Sequence, residues 1–280
     1  MLSALTRRFE GEPFPQPPLR PTRYPVVLMH GFGALSPLVR GSGMLHPEAL
    51  HLRMHGVAAY APQVNPYDTV SVRARTWQER LAVVFEETGA EKVNLVGFSL
   101  GGLDARYLAG TLGEAPRIAS IVTVATPHRG TPLARYVLDR PERLRSVAVA
   151  VMEMAGKAAY EEPPHVLDAL AELTPEHVQE TFNPAHPMPE GVYCASWAAR
   201  AGRDTPNAIY PPLVVQNRIL YRLGGVNDGF VVTEDARWGE DLGTAEADHA
   251  RLIGMRVTPS AFDVKAFYLG IAEHLRARGF

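Results

Sequence analysis

In V-N-L-V-G-F-S-L-G-G, Val93 to Gly102, an apolar run of strand character breaks abruptly on a serine held between glycines. Two readings of this stretch compete. In the first, small residues merely let the backbone reverse between a strand and a helix. In the second, Ser99 sits at the strained tip of a nucleophile elbow. Its Oγ is then exposed, and Gly97 and Gly101 are glycines because side chains there would collide with neighbouring backbone. G-x-S-x-G alone does not separate the two, so the surrounding chain must.

On the N-terminal side, P-V-V-L-M-H-G-F-G is a short continuous apolar run ended by glycines, the pattern of a strand buried on both faces. A further strand is expected over Val57–Val64. Trp77, Leu81, Val84 and Phe85 recur at helical spacing and Gly89 follows as a stop, so the segment from Val70 to Thr88 reads as a helix leading into the strand before Ser99. On the C-terminal side, strands are expected over Ile118–Ala125 and Tyr193–Ala198. Val264, Phe267, Tyr268, Ile271 and Leu275 mark the buried face of a last helix. Strands alternating with helices imply a mostly parallel sheet covered on both faces, in one α/β domain spanning 1–280. From Thr131 to about Pro189 strand patterning stops. Helix-like apolar stretches around Ser146–Met154 and Val166–Leu173 are broken there by P-P and N-P-A-H-P-M-P, which reads as a helical cap or lid inserted after a core strand, or else as a plain bundle sealing the sheet edge. Residues 10–25 are proline-rich and read as an extended arm packed on the body.

Composition narrows the function classes. With 280 residues, 46% hydrophobic, the chain is long enough for one sizeable core. Lys and Arg total 28 against 30 Asp and Glu, a net charge of −2, so no basic field gathers nucleic acid or an anionic membrane. A single cysteine, Cys194, excludes an intrachain disulfide and a multi-cysteine zinc cage. The sequence shows no apolar h-region near its start and no run of membrane-spanning length, which makes a cytoplasmic protein the default expectation.

A serine hydroxyl is a poor nucleophile near neutral pH and needs a base within hydrogen-bond reach, itself oriented by an acid. Of the ten histidines, His249 in A-E-A-D-H-A-R-L-I-G follows the last strand read from the sequence, and Asp228 in G-G-V-N-D-G-F-V precedes it. The chain order Ser99, Asp228, His249 is that of α/β-hydrolases. Each partner also has a plainer reading. Asp228 beside Gly229 fits an Asx-turn, and His249 with Asp248 fits a helix cap. An oxyanion site requires preset N–H donors, and those expected are Leu100, immediately after the nucleophile, and Phe32 in the H-G-F-G loop.

Y-P-V-V-L-M-H-G-F-G, K-V-N-L-V-G-F-S-L-G-G, I-A-S-I-V-T-V-A-T-P-H-R-G-T, V-N-D-G-F-V and D-H-A-R-L-I-G together resemble the true lipases of Pseudomonas and Burkholderia, from Tyr24 to Gly254. The resemblance implies an α/β-hydrolase fold with a helical lid and hydrolysis of triacylglycerol or related esters by Ser99, Asp228 and His249. It also implies Phe32 and Leu100 as oxyanion donors and transient contact with a lipid surface, and the acyl-enzyme mechanism itself needs no cofactor. The resemblance places His128 of T-P-H-R-G in a loop shaping the site wall. Those lipases hold a structural calcium near the catalytic histidine. Here Asp204 stands where one ligand is expected, and Arg251 occupies the position of another, where a cation cannot ligate a cation. One expectation is that the Arg251 guanidinium replaces the ion and pairs with Asp204; the other is that Arg251 is a solvated helix residue. The rival functions are a carboxylesterase or acyltransferase acting on short soluble esters, and a non-catalytic relative that binds a partner.

Overall fold

A computed structural model describes residues 19–33, 43–142, 165–255 and 261–280. The arm residues 10–18 and the apolar stretch V-A-V-A-V-M-E-M-A of the insertion therefore lie outside the described residues. The elements run β1 (Val26–Met29), α1 (His46–Met54), β2 (Ala59–Tyr60), α2 (Val70–Thr88), β3 (Val93–Phe98), α3 (Leu100–Gly110), β4 (Ile118–Val124), α4 (Pro132–Leu138), α5 (Val166–Glu172), β5 (Tyr193–Ala199), α6 (Val214–Gly224), β6 (Glu240–Ala245) and α7 (Val264–Ala277).

The six strands form one sheet in the order β2-β1-β3-β4-β5-β6, and every neighbouring pair is parallel. Parallel strands need covered faces, and the alternation of side chains supplies both. Val26, Leu28, Val96, Phe98, Val122 and Val124 point to one face, where they pack with Leu52 of α1 and Tyr268, Ile271 and Leu275 of α7. Val27, Met29, Val93, Leu95 and Ile121 point to the other, against Trp77, Leu81 and Val84 of α2 and Leu108 of α3. The α2 helix ends at Gly89, whose φ of 64° is left-handed and whose N–H caps the Phe85 carbonyl, so the stop read from the sequence is a backbone requirement.

Two segments differ from expectation. The strand expected over Val57–Val64 is reduced to Ala59–Tyr60 at the sheet edge, because Pro62 has no N–H to extend a ladder. The edge strand β6 was not read from the sequence at all. E-D-L-G-T-A has one side exposed to water and lacks the apolar run of a central strand. Among the described residues, no helix is long and apolar enough to cross a membrane.

Candidate active site

In an open parallel sheet the side chains that meet a ligand gather at the carboxyl ends of the strands. Here the β1, β3 and β4 exits converge. Ser99 follows β3 and holds φ 53° and ψ −128°, a conformation that costs energy for any residue with a Cβ and persists only where the surroundings over-determine it. The surroundings do so at both backbone groups: the Ser99 N–H donates to the Val124 carbonyl at 2.8 Å, and its carbonyl accepts the Thr126 hydroxyl at 2.8 Å.

The flanking glycines are fixed by contact. A Cβ on Gly97 would meet the Gly102 backbone at 2.6 Å, and one on Gly101 would meet the Met29 carbonyl oxygen at 2.4 Å. A Cβ on Gly31 would lie 2.5 Å from the Ser99 Cβ, so the H-G-F-G loop passes directly over the serine side chain. The N–H groups of Phe32 and Leu100 make no hydrogen bond to another described residue.

His249 Nε2 lies 3.0 Å from Ser99 Oγ, and Nδ1 lies 2.7 Å from Asp228 Oδ2. A carboxylate only accepts, so Nδ1 carries the proton and Nε2 faces the serine hydroxyl as an acceptor. The other oxygen of Asp228 accepts the N–H groups of Phe230 at 2.9 Å and Val231 at 2.8 Å, and the His249 N–H donates to the Asp228 carbonyl at 2.9 Å. Asp228 thus makes the Asx-type turn and orients the imidazole as well; the two readings of its sequence context describe one geometry. The helix-cap reading belongs to Asp248, whose Oδ1 accepts the Arg251 N–H at 2.9 Å at the start of the short helix Arg251–Ile253. Phe98 and Phe230 flank the imidazole, with ring centroids 4.6 and 4.9 Å away.

His128 is turned away from the serine. Its Nδ1 accepts from the Arg106 guanidinium at 3.2 Å, so Nε2 carries the proton and meets Thr123 Oγ1 at 3.0 Å, while the ring stacks on Trp238. The loop around it supplies Pro127 and Thr131 to a cleft at the serine. Phe32, Met44, Phe98, Leu133, Val137, Leu170, Leu173, Phe230 and Ile253 complete an apolar lining, with Gln216 as a polar exception.

Neither expectation for Arg251 holds: it is buried rather than solvated, and its partner is not Asp204. The Arg251 guanidinium pairs with Asp248 and donates to the Ala208 carbonyl at 2.6 Å, while exposed Asp204 accepts the Tyr221 hydroxyl. The reason is proximity: Asp248 is one helical turn away, and its carboxylate is already tied to the Tyr210 N–H at 2.9 Å. This donor set does not fit calcium, because a guanidinium fills the place beside the histidine loop and the carboxylate next to it is spent on that guanidinium and on backbone N–H groups.

Two fully buried histidines resist protonation most strongly. Burial, reinforced by the Arg73 charge, pushes His30 down to about 3 against opposing hydrogen bonds to Gly31 and Val64. Burial, with Arg106 and Arg129, holds His128 well below the ordinary histidine range. Between a depressed native value and the unfolded value near 6.5, the unfolded chain binds more protons, so stability is full above that value and falls as pH drops below it. Urea unfolding at pH 7, 6 and 5 is expected to show loss of stability already beginning near pH 6.5. A flat or rising profile down to pH 5 means that these rings do not outweigh Asp104 and Asp248, whose carboxyls burial holds above their ordinary range and which act in the opposite sense.

The sequence reading missed Thr126, Phe98, Phe230 and the buried pair Arg73–Asp104. Arg73 had a signal: it stands four residues before Trp77 on the apolar stripe of α2, where a charge is out of place.

The model of the family described as palmitoyl protein thioesterase matches residues 25–170, just over half of the chain. A triacylglycerol lipase of Pseudarthrobacter phenanthrenivorans is 33% identical over 136 residues, and one of Burkholderia plantarii likewise; the match spans 42% and 37% of those proteins' lengths. A triacylglycerol lipase of Vibrio cholerae is 28% identical over 243 residues, covering 78% of this chain and 75% of that protein. Among solved structures, a metagenomic carboxyl esterase superposes with a TM-score of 0.75 at 21% identity, covering 96% of this chain and 80% of the other. The mature Bacillus licheniformis lipase gives 0.65 at 19% identity, covering 94% and 96%. The resemblance to bacterial lipases read from the motifs is borne out by these relatives, over 46% of this chain in the first two and 78% in the third. With elbow, sheet and matches in agreement, the chain belongs to the palmitoyl protein thioesterase family and has the α/β-hydrolase fold.

Proposed function

We propose that this protein is a lipase-like serine ester hydrolase that cleaves carboxylic esters of acylglycerol type through an acyl-enzyme. The observation that carries the reading is the continuous chain from Ser99 Oγ through His249 to Asp228, at 3.0 and 2.7 Å. In this reading His249 Nε2 takes the Ser99 proton as Oγ attacks the ester carbonyl, and the N–H groups of Phe32 and Leu100 receive the oxyanion. The imidazolium then gives its proton to the departing alcohol. Water, deprotonated by the same nitrogen, releases the acid and restores Ser99.

The apolar cleft, about 830 Å3 with its open mouth included, supports an acyl chain as the recognised group. The described parts of the 131–189 insertion, 131–142 and 165–189, support its reading as the cap of that cleft: α4 and α5 contribute Leu133, Val137 and Leu170 to the wall, and Thr131 donates to the Phe230 carbonyl at 2.6 Å, tying the insertion's first residue to the Asp228 turn. The family's description names thioesters, which pass through the same acyl-enzyme. Hydrolysis rates over a chain-length series of p-nitrophenyl esters, emulsified triglyceride and an S-acyl thioester test the reading. Turnover rising with acyl length on oxygen esters is expected. Activity confined to acetate and butyrate points to a short-chain esterase, and preference for the thioester points to thioesterase chemistry.

No metal or cofactor is required in this reading, and Arg251 takes the anchoring part beside the histidine loop. EDTA is expected to leave turnover and Tm unchanged. Arg251→Ala strands the buried Asp248 carboxylate and is expected to cost about 3–5 kcal/mol in urea unfolding. Loss of activity in EDTA, restored by calcium alone, contradicts this assignment.

A further inference from the structure

The two oxyanion donors stand on separate parts of the chain: Phe32 on the loop after β1, Leu100 at the first position of α3. Transition-state stabilisation depends on both N–H groups reaching one oxygen, so something must fix the loop against the helix. We propose that Arg73, on neither segment, sets that spacing and is a positioning residue for the reaction; the inference rests on the serine-hydrolase reading given above.

Arg73 is buried on α2 and its guanidinium reaches in three directions. Nη2 donates to the His30 carbonyl of the H-G-F-G loop at 2.6 Å. Nε and Nη2 both donate to Asp104 Oδ2 on α3, at 3.0 and 2.7 Å. Nη1 donates to the Asn65 carbonyl at 2.9 Å, beside the segment that holds the loop from its other side.

The loop end of this bridge is stiffened locally. His30 Nε2 accepts the Val64 N–H at 3.1 Å, which leaves the proton on Nδ1 to donate to the Gly31 carbonyl at 3.0 Å, one residue before Phe32. The helix end is stiffened by Trp77 Nε1, which donates to the same Asp104 oxygen at 3.0 Å. Loop and helix are also in contact, since the Cβ that Gly101 lacks would meet the His30 carbonyl oxygen at 2.9 Å. One planar guanidinium therefore spans from the carbonyl two residues before Phe32 to the helix that begins with Leu100. A lysine, with one point of charge, cannot hold the same fork.

A plain stabilising role fits less well. Both partners are fully buried, and Asp104 Oδ1 has no hydrogen-bond partner among the described residues. Such a pair is costly to desolvate, and apolar replacements of similar size are often neutral or stabilising. Its geometry is what the loop and helix require.

The test is the double variant Arg73→Met/Asp104→Leu, which removes both charges together, alongside Arg73→Lys. Tm, kcat and KM on a p-nitrophenyl ester are measured with Ser99→Ala as the blank. Binding of a short alkylboronic acid, which forms a tetrahedral adduct, is compared with that of the ether analogue of the substrate. Loss of one oxyanion donor lowers kcat about 10²-fold or more. The expected result is a double variant with a lowered Tm, because Trp77 Nε1 and the His30 and Asn65 carbonyls lose their partners, with kcat and boronate affinity both down roughly 10- to 100-fold and KM and ether affinity within twofold. Arg73→Lys is expected to fall between. If kcat and boronate affinity stay within twofold of wild type, or if ether affinity falls in parallel with them, Arg73 does not set the spacing. Absence of Ser99-dependent turnover in the wild type is a separate result and overturns the underlying reading instead.

Discussion

Ser99→Ala and His249→Ala are each expected to lower kcat about a millionfold, and the double variant no further, because nucleophile and base act as a unit. Structural cost is small for the serine. Alanine at φ 53° carries the same backbone strain, and the Val124 and Thr126 hydrogen bonds use only the main chain of residue 99. The residual rate in both variants reflects the oxyanion donors and the apolar cleft alone. The control is His128→Ala, since His128 commits one ring nitrogen to Arg106 and the other to Thr123 and has none left for the serine. Turnover on a p-nitrophenyl ester, with folding checked by circular dichroism, decides the matter. A folded His128→Ala variant as inactive as His249→Ala means that the base has been misassigned.

Asp228→Asn is expected to fold normally yet lose about ten-thousandfold in kcat, for a reason the hydrogen bonds make specific. Asp228 Oδ1 accepts two backbone N–H groups, from Phe230 and Val231, while Oδ2 faces His249 Nδ1. An asparagine keeps the turn only by placing its carbonyl oxygen toward those N–H groups. Its NH2 then faces Nδ1, which must become an acceptor, and the ring proton moves to Nε2 opposite Ser99 Oγ. The serine loses its base although every heavy atom stays in place. Native circular dichroism with collapsed kcat, and recovery as pH rises and serine ionises without help, is the expected pattern. A variant with more than a tenth of wild-type kcat argues that Asp228 serves only the turn.

Much of this was legible because the determining interactions are local or periodic. The central strands are apolar runs, α2 follows its spacing to a glycine that must be left-handed, and the elbow's glycines carry a steric rule that operates within a few residues. The chain order of Ser99, Asp228 and His249 singled out three side chains that the fold brings together. What escaped reading depends on contacts between distant segments. The edge strand β6 lacks an apolar run because one side meets water, and its pairing with β5 alone makes it a strand. Asp204 and Arg251 look like partners by position, but Arg251 is claimed by Asp248 one turn away and Asp204 by Tyr221. Arg73 and Asp104 are two unremarked charges in the sequence. Only the packing of α2 against α3 puts them in one dry site, where each must find its partner. Sequence alone determined the fold class, the elbow and the three candidate catalytic positions, since patterning and backbone sterics act over short range; tertiary structure decided which polar groups share a buried space, since burial and charge pairing are properties of the folded neighbourhood.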